Sequence, residues 1–213
     1  TAGAMSWVTP SSGWSLSGNA GTTNGGTLGS APSVGGNIFG TTDARSLSIV
    51  TNNIIRLQIA TDGVVSTASD AVINTVTVGL GAGGVITNTA LGRGALPANT
   101  TGNNNVAVGR DALLSNTEGY RNVAVGVTAL YSNTTGYSNQ AIGFEALRAN
   151  QSGYMNTAMG THALTANTTG YSNVSIGPWS MYTNTTGQQH TAIGSNALYS
   201  NTTSLRNTAV GSS

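Results

Sequence analysis

Few side chains here are able to do chemistry, and their spacing argues against a catalytic centre. Six carboxylates and two histidines are spread over 213 residues. Glu118 and Glu145 are far apart in the chain, whereas a glycosidase pair holds its two carboxyl groups roughly 5 to 9.5 Å apart. GLGAGG, residues 79–84, has the composition of a phosphate-binding loop, but no helix signal follows it and the chain contains no Lys. It reads as a glycine-rich transition between two β-modules. The absence of Cys removes thiolate metal sites and disulfides. The expectation is a protein that is not an enzyme and carries no cofactor.

The tyrosines are ordered where the acids are not, and what orders them is a repeat. NVAVGRDALLSNTEGYR, residues 105–121, is followed at once by NVAVGVTALYSNTTGYS, residues 122–138. A glycine preceded by an aliphatic residue falls at Gly92, Gly109, Gly126, Gly143, Gly160, Gly177, Gly194 and Gly211. Numbered from Asn88 as position one, the array has seven complete copies over 88–206 and the start of an eighth, without insertion. Such fixed periods mark stacked architectures in which each unit buries its core against its neighbours. All seven tyrosines fall at two positions. Tyr120, Tyr137, Tyr154 and Tyr171 take position sixteen on successive copies; Tyr131, Tyr182 and Tyr199 take position ten.

Each copy reads as one rung. Position three is Ala except at Ser175, position four is aliphatic or Met, and positions eight and nine are Ala-Leu except for Ser180-Met181. Position twelve is Asn in every complete copy, and position fifteen is Gly except at Ser204. Recurrent Gly and Asn-Thr-Thr-Gly exclude helices. Two short strands per rung are expected, near positions one to four and seven to ten, with Gly at positions five and fifteen freeing the corners. The aliphatics of positions four and nine should stack into apolar rows, with Ala beside them admitting another backbone or chain. The repeated Asn should form an amide ladder. The fold class is therefore all-β, a parallel β-solenoid or β-roll of 17-residue rungs. So little apolar area per rung makes a single chain marginal, which predicts an intertwined or side-by-side homotrimer.

The array, with its partial eighth copy, covers 88–213. Upstream, residues 1–36 form a Gly/Ser/Thr-rich connector carrying Trp7 and Trp14, and 37–72 a small β-hairpin module. Residues 73–87 are a Gly-rich transition. Within the module, Leu47 and Ile49, then Ile55, Leu57 and Ile59, flank Thr51-Asn52-Asn53 as a hairpin would. Charged residues make up 6% of the chain and the formal net charge is +1, which leaves no electrostatic footprint for nucleic acid. No apolar run approaches eighteen residues, so no membrane insertion is expected. Met5 shortly after Thr1 reads as a tag scar or as a fragment cut from a longer chain, and the stop at NTAVGSS early in the eighth copy leads to the expectation that more followed Ser213.

The repeated line NTAVGxxALxxNTTG resembles the shaft or tip repeats of trimeric phage tail fibres and contractile-injection-system fibres. NIFGTTDARSLSIVTNNIIRLQI (37–59) and TVTVGLGAGGVITNTALG (75–92) are similar to the segments that lead into such arrays. The likeness to the shorter head repeats of trimeric autotransporter adhesins is weaker. The resemblance implies an extracellular protein of a virion tail or phage-like particle that attaches to a bacterial cell surface. Its implied partners are two further copies of itself, a bacterial surface glycan or outer-membrane component, and other fibre or baseplate proteins. A family member commonly continues into an endosialidase-type intramolecular chaperone.

The contact candidates, toward receptor or neighbouring chain, are the seven tyrosines and Trp179, with Arg148 and Phe144 extending the surface. His162 is expected to be exposed. His190 replaces the Asn that opens other copies; on a threefold axis it would be an axial metal candidate, and otherwise no metal is expected. Two other functions fit the repeat: a bacterial trimeric surface adhesin, favoured by a downstream membrane anchor, and an ice-binding β-solenoid, for which only Thr89, Thr157, Thr191 and Thr208 share a face.

Overall fold

The computed structural model describes residues 14–15, 18–19, 47–51, 54–60, 65–67 and 70–212. Trp7 and the segment 37–46, with its GTTDA stretch, lie outside the described residues. The chain divides into two units, residues 1–68 and 69–213. In the first, β1 (Trp14–Ser15) and β2 (Gly18–Asn19) pair antiparallel. The expected hairpin is there: β3 (Leu47–Thr51) pairs antiparallel with β4 (Ile54–Ile59) across Asn52-Asn53. A third strand not read from sequence, β5 (Val65–Thr67), extends that sheet on β4.

The second unit begins with β6 (Ala71–Ile73) and β7 (Val76–Gly79), joined by Asn74 and Thr75. Both turn residues have positive φ, 49° and 69°, as a tight primed hairpin turn requires. This hairpin runs across the expected boundary after residue 72. From β7 the sheet continues antiparallel to β8 (Thr89–Gly92), and from there every pairing is parallel. The parallel series is β9 (Val106–Val108), β10 (Val123–Val125), β11 (Gln140–Ile142), β12 (Thr157–Met159), β13 (Val174–Ile176), β14 (Thr191–Ile193) and β15 (Thr208–Val210). Each residue pairs with its equivalent in the next copy, Ala124 with Ala141 for example. The protein is thus an all-β solenoid of parallel 17-residue rungs.

Each rung contributes one strand, not two. Positions seven to ten form consecutive turns because positions seven and nine hold positive φ: 57° at Glu145 and 53° at Leu147 in one rung. A left-handed conformation costs an L-residue roughly 1–2 kcal/mol. Burying a leucine side chain offsets it with roughly 1.5–3 kcal/mol. The turn backbone bonds between rungs rather than within a second strand. Glu145 N–H reaches back to Val127 O at 3.1 Å, while Leu147 N–H reaches forward to Ala163 O at 3.0 Å. A little further on, three N–H groups converge on one carbonyl, Thr134, Thr135 and Gly136 donating to Gln151 O at 2.9, 3.2 and 3.2 Å.

The core is narrower than expected. Ala at positions three and eight and Leu at position nine pack inside the rung, with Ala141, Ala146 and Leu147 all fully buried. Those alanines therefore line their own chain's interior rather than receiving another. Position four turns outward, and Ile142 is 38% exposed. The reason is strand alternation: with position three pointing in, positions two and four must point out. In one rung both core alanines are exchanged together. Ser175 and Ser180 are buried and bond each other, with Ser175 Oγ also donating to Ser180 O at 2.9 Å. The paired exchange leaves neither hydroxyl unsatisfied.

Two Asn ladders close each rung. Asn122 (position one) and Asn133 (position twelve) both donate to Gly136 O, at 2.8 and 3.0 Å. Asn122 Oδ1 then accepts the backbone N–H of Asn139 at 3.0 Å, and Asn133 Oδ1 accepts from Asn150 Nδ2 at 2.8 Å. The glycine at position fifteen is dictated by space. A Cβ on Gly136 would stand 2.5 Å from Gly153 O and 2.7 Å from Asn150 Nδ2. At position five the conformation is at issue as well, since Gly143 has φ 138° and sits against Gly160.

These placements predict opposite outcomes for two aliphatic residues of one rung. Leu147→Ala should lower the unfolding free energy by about 2–5 kcal/mol, whereas Ile142→Ala should change the stability of the isolated chain by well under that. Denaturant titration measures both; equal losses would mean that position four is core. Gly136→Ala should cost about 1–3 kcal/mol through overpacking, read by the same titration.

Candidate functional site

The side chains free to meet another molecule are those at outward positions, and they segregate into columns. The first is the tyrosine column at position sixteen. Tyr120, Tyr137, Tyr154 and Tyr171 are half-buried and stack ring on ring, with centroids 4.9, 4.9 and 4.7 Å apart and planes within 2–6° of parallel. The in-register rungs impose this, because equivalent residues are one strand spacing apart. Stacking consumes the ring faces: Tyr137 and Tyr154 are covered on both sides, and Arg121 lies 5.9 Å from the centre of the Tyr120 ring. What the column offers laterally is ring edges and hydroxyls. Burial by the adjoining rings, then the neighbouring phenols Tyr171 and Tyr137, push the Tyr154 hydroxyl above its ordinary pKa.

A second aromatic group gathers at positions six, seven and ten of rungs four to seven. His162 stacks on Trp179 at 4.1 Å, and Phe144 meets the His162 ring edge-on at 5.2 Å. Trp179 inclines at 56° to Tyr182, which stacks on Tyr199 at 5.3 Å. Glu145 Oε2 lies 3.3 Å from His162 Nδ1, and its Oε1 lies 3.8 Å from Arg148 Nε. The Arg148 guanidinium stands 5.6 Å from the Tyr131 ring centre. Tilted rings leave faces uncovered, and Phe144, Trp179 and Tyr199 are exposed at 44%, 37% and 37%.

The structure thus brings together Tyr131, Tyr182, Tyr199, Trp179, Arg148 and Phe144, and leaves the position-sixteen tyrosines in a separate set of contacts. Two members of the cluster escaped the sequence reading. His162 is not exposed: its side chain is 17% accessible, held between Glu145 and Trp179. Glu145 acts with His162 and Arg148, while Glu118 stands two rungs earlier at another position. Setting positions six, seven and ten side by side across rungs would have shown Phe, Glu and Arg, then His, then Trp and Tyr in adjacent copies.

The remaining candidates are engaged by the fold. The GLGAGG stretch is bound already, since the Asp70 carboxylate accepts Leu80 N–H and Gly81 N–H, both at 2.7 Å. The same stretch forms a short 3-10 turn (Ala82–Gly84) docked on the first rung through Ala82 N–H to Leu96 O. Thr at position thirteen spends its hydroxyl on the stack, Thr117 Oγ1 donating to Thr134 O at 3.2 Å. Thr100, Thr134, Thr168 and Thr185 do the same, which leaves that row few hydroxyls to order water. Among the described residues no group of three or more His, Cys, Asp or Glu could hold a metal ion.

His190 does not face an axis, because position one points into its own rung, where the ring is 1% exposed. It reproduces the bond along the stack of the Asn it replaces. Nδ1 accepts Asn207 N–H at 3.0 Å, as an Asn Oδ1 does one rung earlier, and Nε2 lies 3.1 Å from Asn201 Nδ2. That pattern requires the neutral imidazole with its proton on Nε2. Burial lowers the His190 pKa below its ordinary value. A depressed folded-state pKa contributes stability above the unfolded value of about 6.5, lost as pH falls through the folded value.

Lowering the pH from 7.5 to 5 should therefore loosen the last rungs, and His190→Asn should abolish that dependence. Amide hydrogen exchange of residues 190–212 at the two pH values measures it; an unchanged pH response in the variant would refute the assignment. Compared with family models, curated proteins and solved structures, the chain finds no match in any of the three.

Proposed function

We propose that this chain is part of a trimeric attachment fibre that holds a phage or phage-like particle against a bacterial cell surface. The observation that carries the reading is the outer face of the parallel sheet. Positions two and four form two columns along eight strands, about 34 Å at the usual strand spacing. The position-four column is Leu91, Val108, Val125, Ile142, Met159, Ile176, Ile193 and Val210. Leu91, Ile142, Met159 and Ile193 are about two-fifths exposed in the single chain. Contiguous apolar surface of this length marks a site of association. Three copies meeting along it would supply the shared core that one Leu and two Ala per rung do not.

The exposed aromatics then lie on other corners, repeated once per chain, where weak contacts gain from threefold avidity. The repeat resembles those of tail fibres, and the sparse charge suits contact through rings and hydroxyls more than through ion pairs. A surface adhesin would use the same surfaces. Ice binding is disfavoured by the position-thirteen hydroxyls already bonded within the stack, and by Val and Gln between the position-two threonines.

Light scattering should give a native mass three times the 21.3 kDa of the chain. Ile142→Gln with Ile176→Gln should reduce it to one chain while the circular dichroism stays β-rich. Fluorescently labelled protein should bind whole bacteria of a host panel, and the monomeric variant should bind them far more weakly. A stable folded monomer of the unaltered chain would sink the trimer, and failure to bind any cell would sink attachment.

A further inference from the structure

We infer that the corner formed by Phe144, Glu145, Arg148, His162, Trp179 and Tyr182 is a saccharide-binding site, taking the hexopyranose rings of a bacterial surface polysaccharide. The inference rests on the attachment reading and goes further, in naming both the surface and the chemistry of its ligand.

The first argument is conformational. Position seven has positive φ in every complete rung, and Gly94, Asp111 and Asn196 are residue types that accept it readily. Trp179 holds the same conformation, at 59°, although a bulky aromatic side chain disfavours it; His162, at 58°, belongs with the types that accept it, and outside the corner Thr128 holds it too, at 55°. Nothing in the solenoid needs a ring there, since the rungs with Asp and Asn close through the same backbone bonds. Asp111 N–H donates to Arg93 O and Asn196 N–H to Pro178 O, as Trp179 N–H does to Thr161 O. Strain that the scaffold does not require points to use by something outside it.

The second argument is orientation. In the position-sixteen column Tyr137 and Tyr154 have both faces covered by neighbouring rings, so the middle of that column offers no ring plane to a sugar. At the corner, Trp179 has His162 on one side and the inclined Tyr182 beside it, and the aromatic column then stops, because position seven of the next rung is Asn196. An exposed indole whose column ends there is a platform for the C–H face of a pyranose. Tyr182 and Tyr199 stand beside it with phenolic hydroxyls for the sugar hydroxyls. Glu145 lies 3.3 Å from the His162 ring on which Trp179 rests, and the formal charges of Glu145 and Arg148 cancel. That favours an uncharged ring over a phosphate or a carboxylate.

Size excludes a folded protein as the main occupant. The cluster spans about four rungs, about 15 Å along the stack, on a single corner. A specific protein interface buries about 800 Å² on each partner. A sugar unit is matched to a patch of this extent, and three such corners on a trimer would hold one polymer by multivalency.

The experiment compares three forms of the full chain on immobilised dextran, mannan, galactan and O-polysaccharide released from lipopolysaccharide, and on whole cells. The paired variant Trp179→Asn with Tyr182→Thr installs the residues that neighbouring rungs carry at those positions, Asn196 and Thr165, and should fold with unchanged native mass. Tyr137→Asn with Tyr154→Asn, matching Asn103, removes aromatics from the other column. At least one polysaccharide should retain the unaltered chain. The corner variant should lose about tenfold or more in affinity, the scale of a lost aromatic hot spot, and the column variant should retain it. Equal binding by the corner variant would overturn the site. Binding to cells with no polysaccharide retained would overturn it too, while leaving the attachment reading standing; binding to neither would overturn both.

Discussion

A side-chain amide in a dry interior must find partners at both ends, since a buried polar group left unpaired costs about 1–3 kcal/mol. In this solenoid that requirement governs the geometry. The amides of positions one and twelve meet on the carbonyl of position fifteen, and their oxygens bond the equivalent Asn or its backbone in the next copy. The contact across the rung closes the loop; the contact along the stack sets the register. An inserted residue would break the match between the two copies it separates and strand an amide at that junction. The constancy of the 17-residue period is thus the same fact as the satisfaction of the ladders. Glycine at position fifteen follows as well, because two amides and the next carbonyl fill the space where a Cβ would sit.

What repeats by residue type was legible in the sequence: the period, the amide ladder, the corner glycines and the parallel stacking. What depends on backbone handedness was not. Leu147 prefers an ordinary extended or helical conformation, and only burial in a closed rung holds it at positive φ; a leucine beside an alanine therefore looked like a second strand. The choice between positions four and nine failed for another reason, since both are aliphatic and hydropathy cannot tell inside from outside. Ala90, Ala107, Ala124 and Ala141, unvarying between changeable neighbours, were the available sign that position three faces in. In the candidate site, the alignment of Tyr120 to Tyr171 was visible from spacing. The direction of their ring faces was not, and the joining of Glu145 to His162 and Arg148 required the corner to be built.

The interior accepts change only where its bonds survive. His190 keeps an Asn's bond along the stack, and Ser175 with Ser180 replaces two alanines by a pair of hydroxyls that bond each other. Each exchange is a local departure compensated within its own rung, or between one rung and the next. Buried polar groups in such a narrow core leave no room for partial satisfaction.

Variation is consequently driven outward, and register converts each outward position into a line along the stack. Position four makes an apolar strip beside the mixed Thr and Val of position two, position sixteen a stiff row of phenols, and positions six, seven and ten a corner of mixed rings and charges. Conformational strain distinguishes the last of these from the others. The tyrosine column carries no such strain, since none of its four residues has positive φ. At the corner, Trp179 occupies a backbone conformation that glycine, aspartate, asparagine and histidine fill with less strain in other rungs. Local rules that fold one rung and are broken in the next, with the fold unchanged, indicate a demand from beyond the chain. The solenoid supplies the spacing, and the residues that fit it least well mark the surface where a ligand is to be sought.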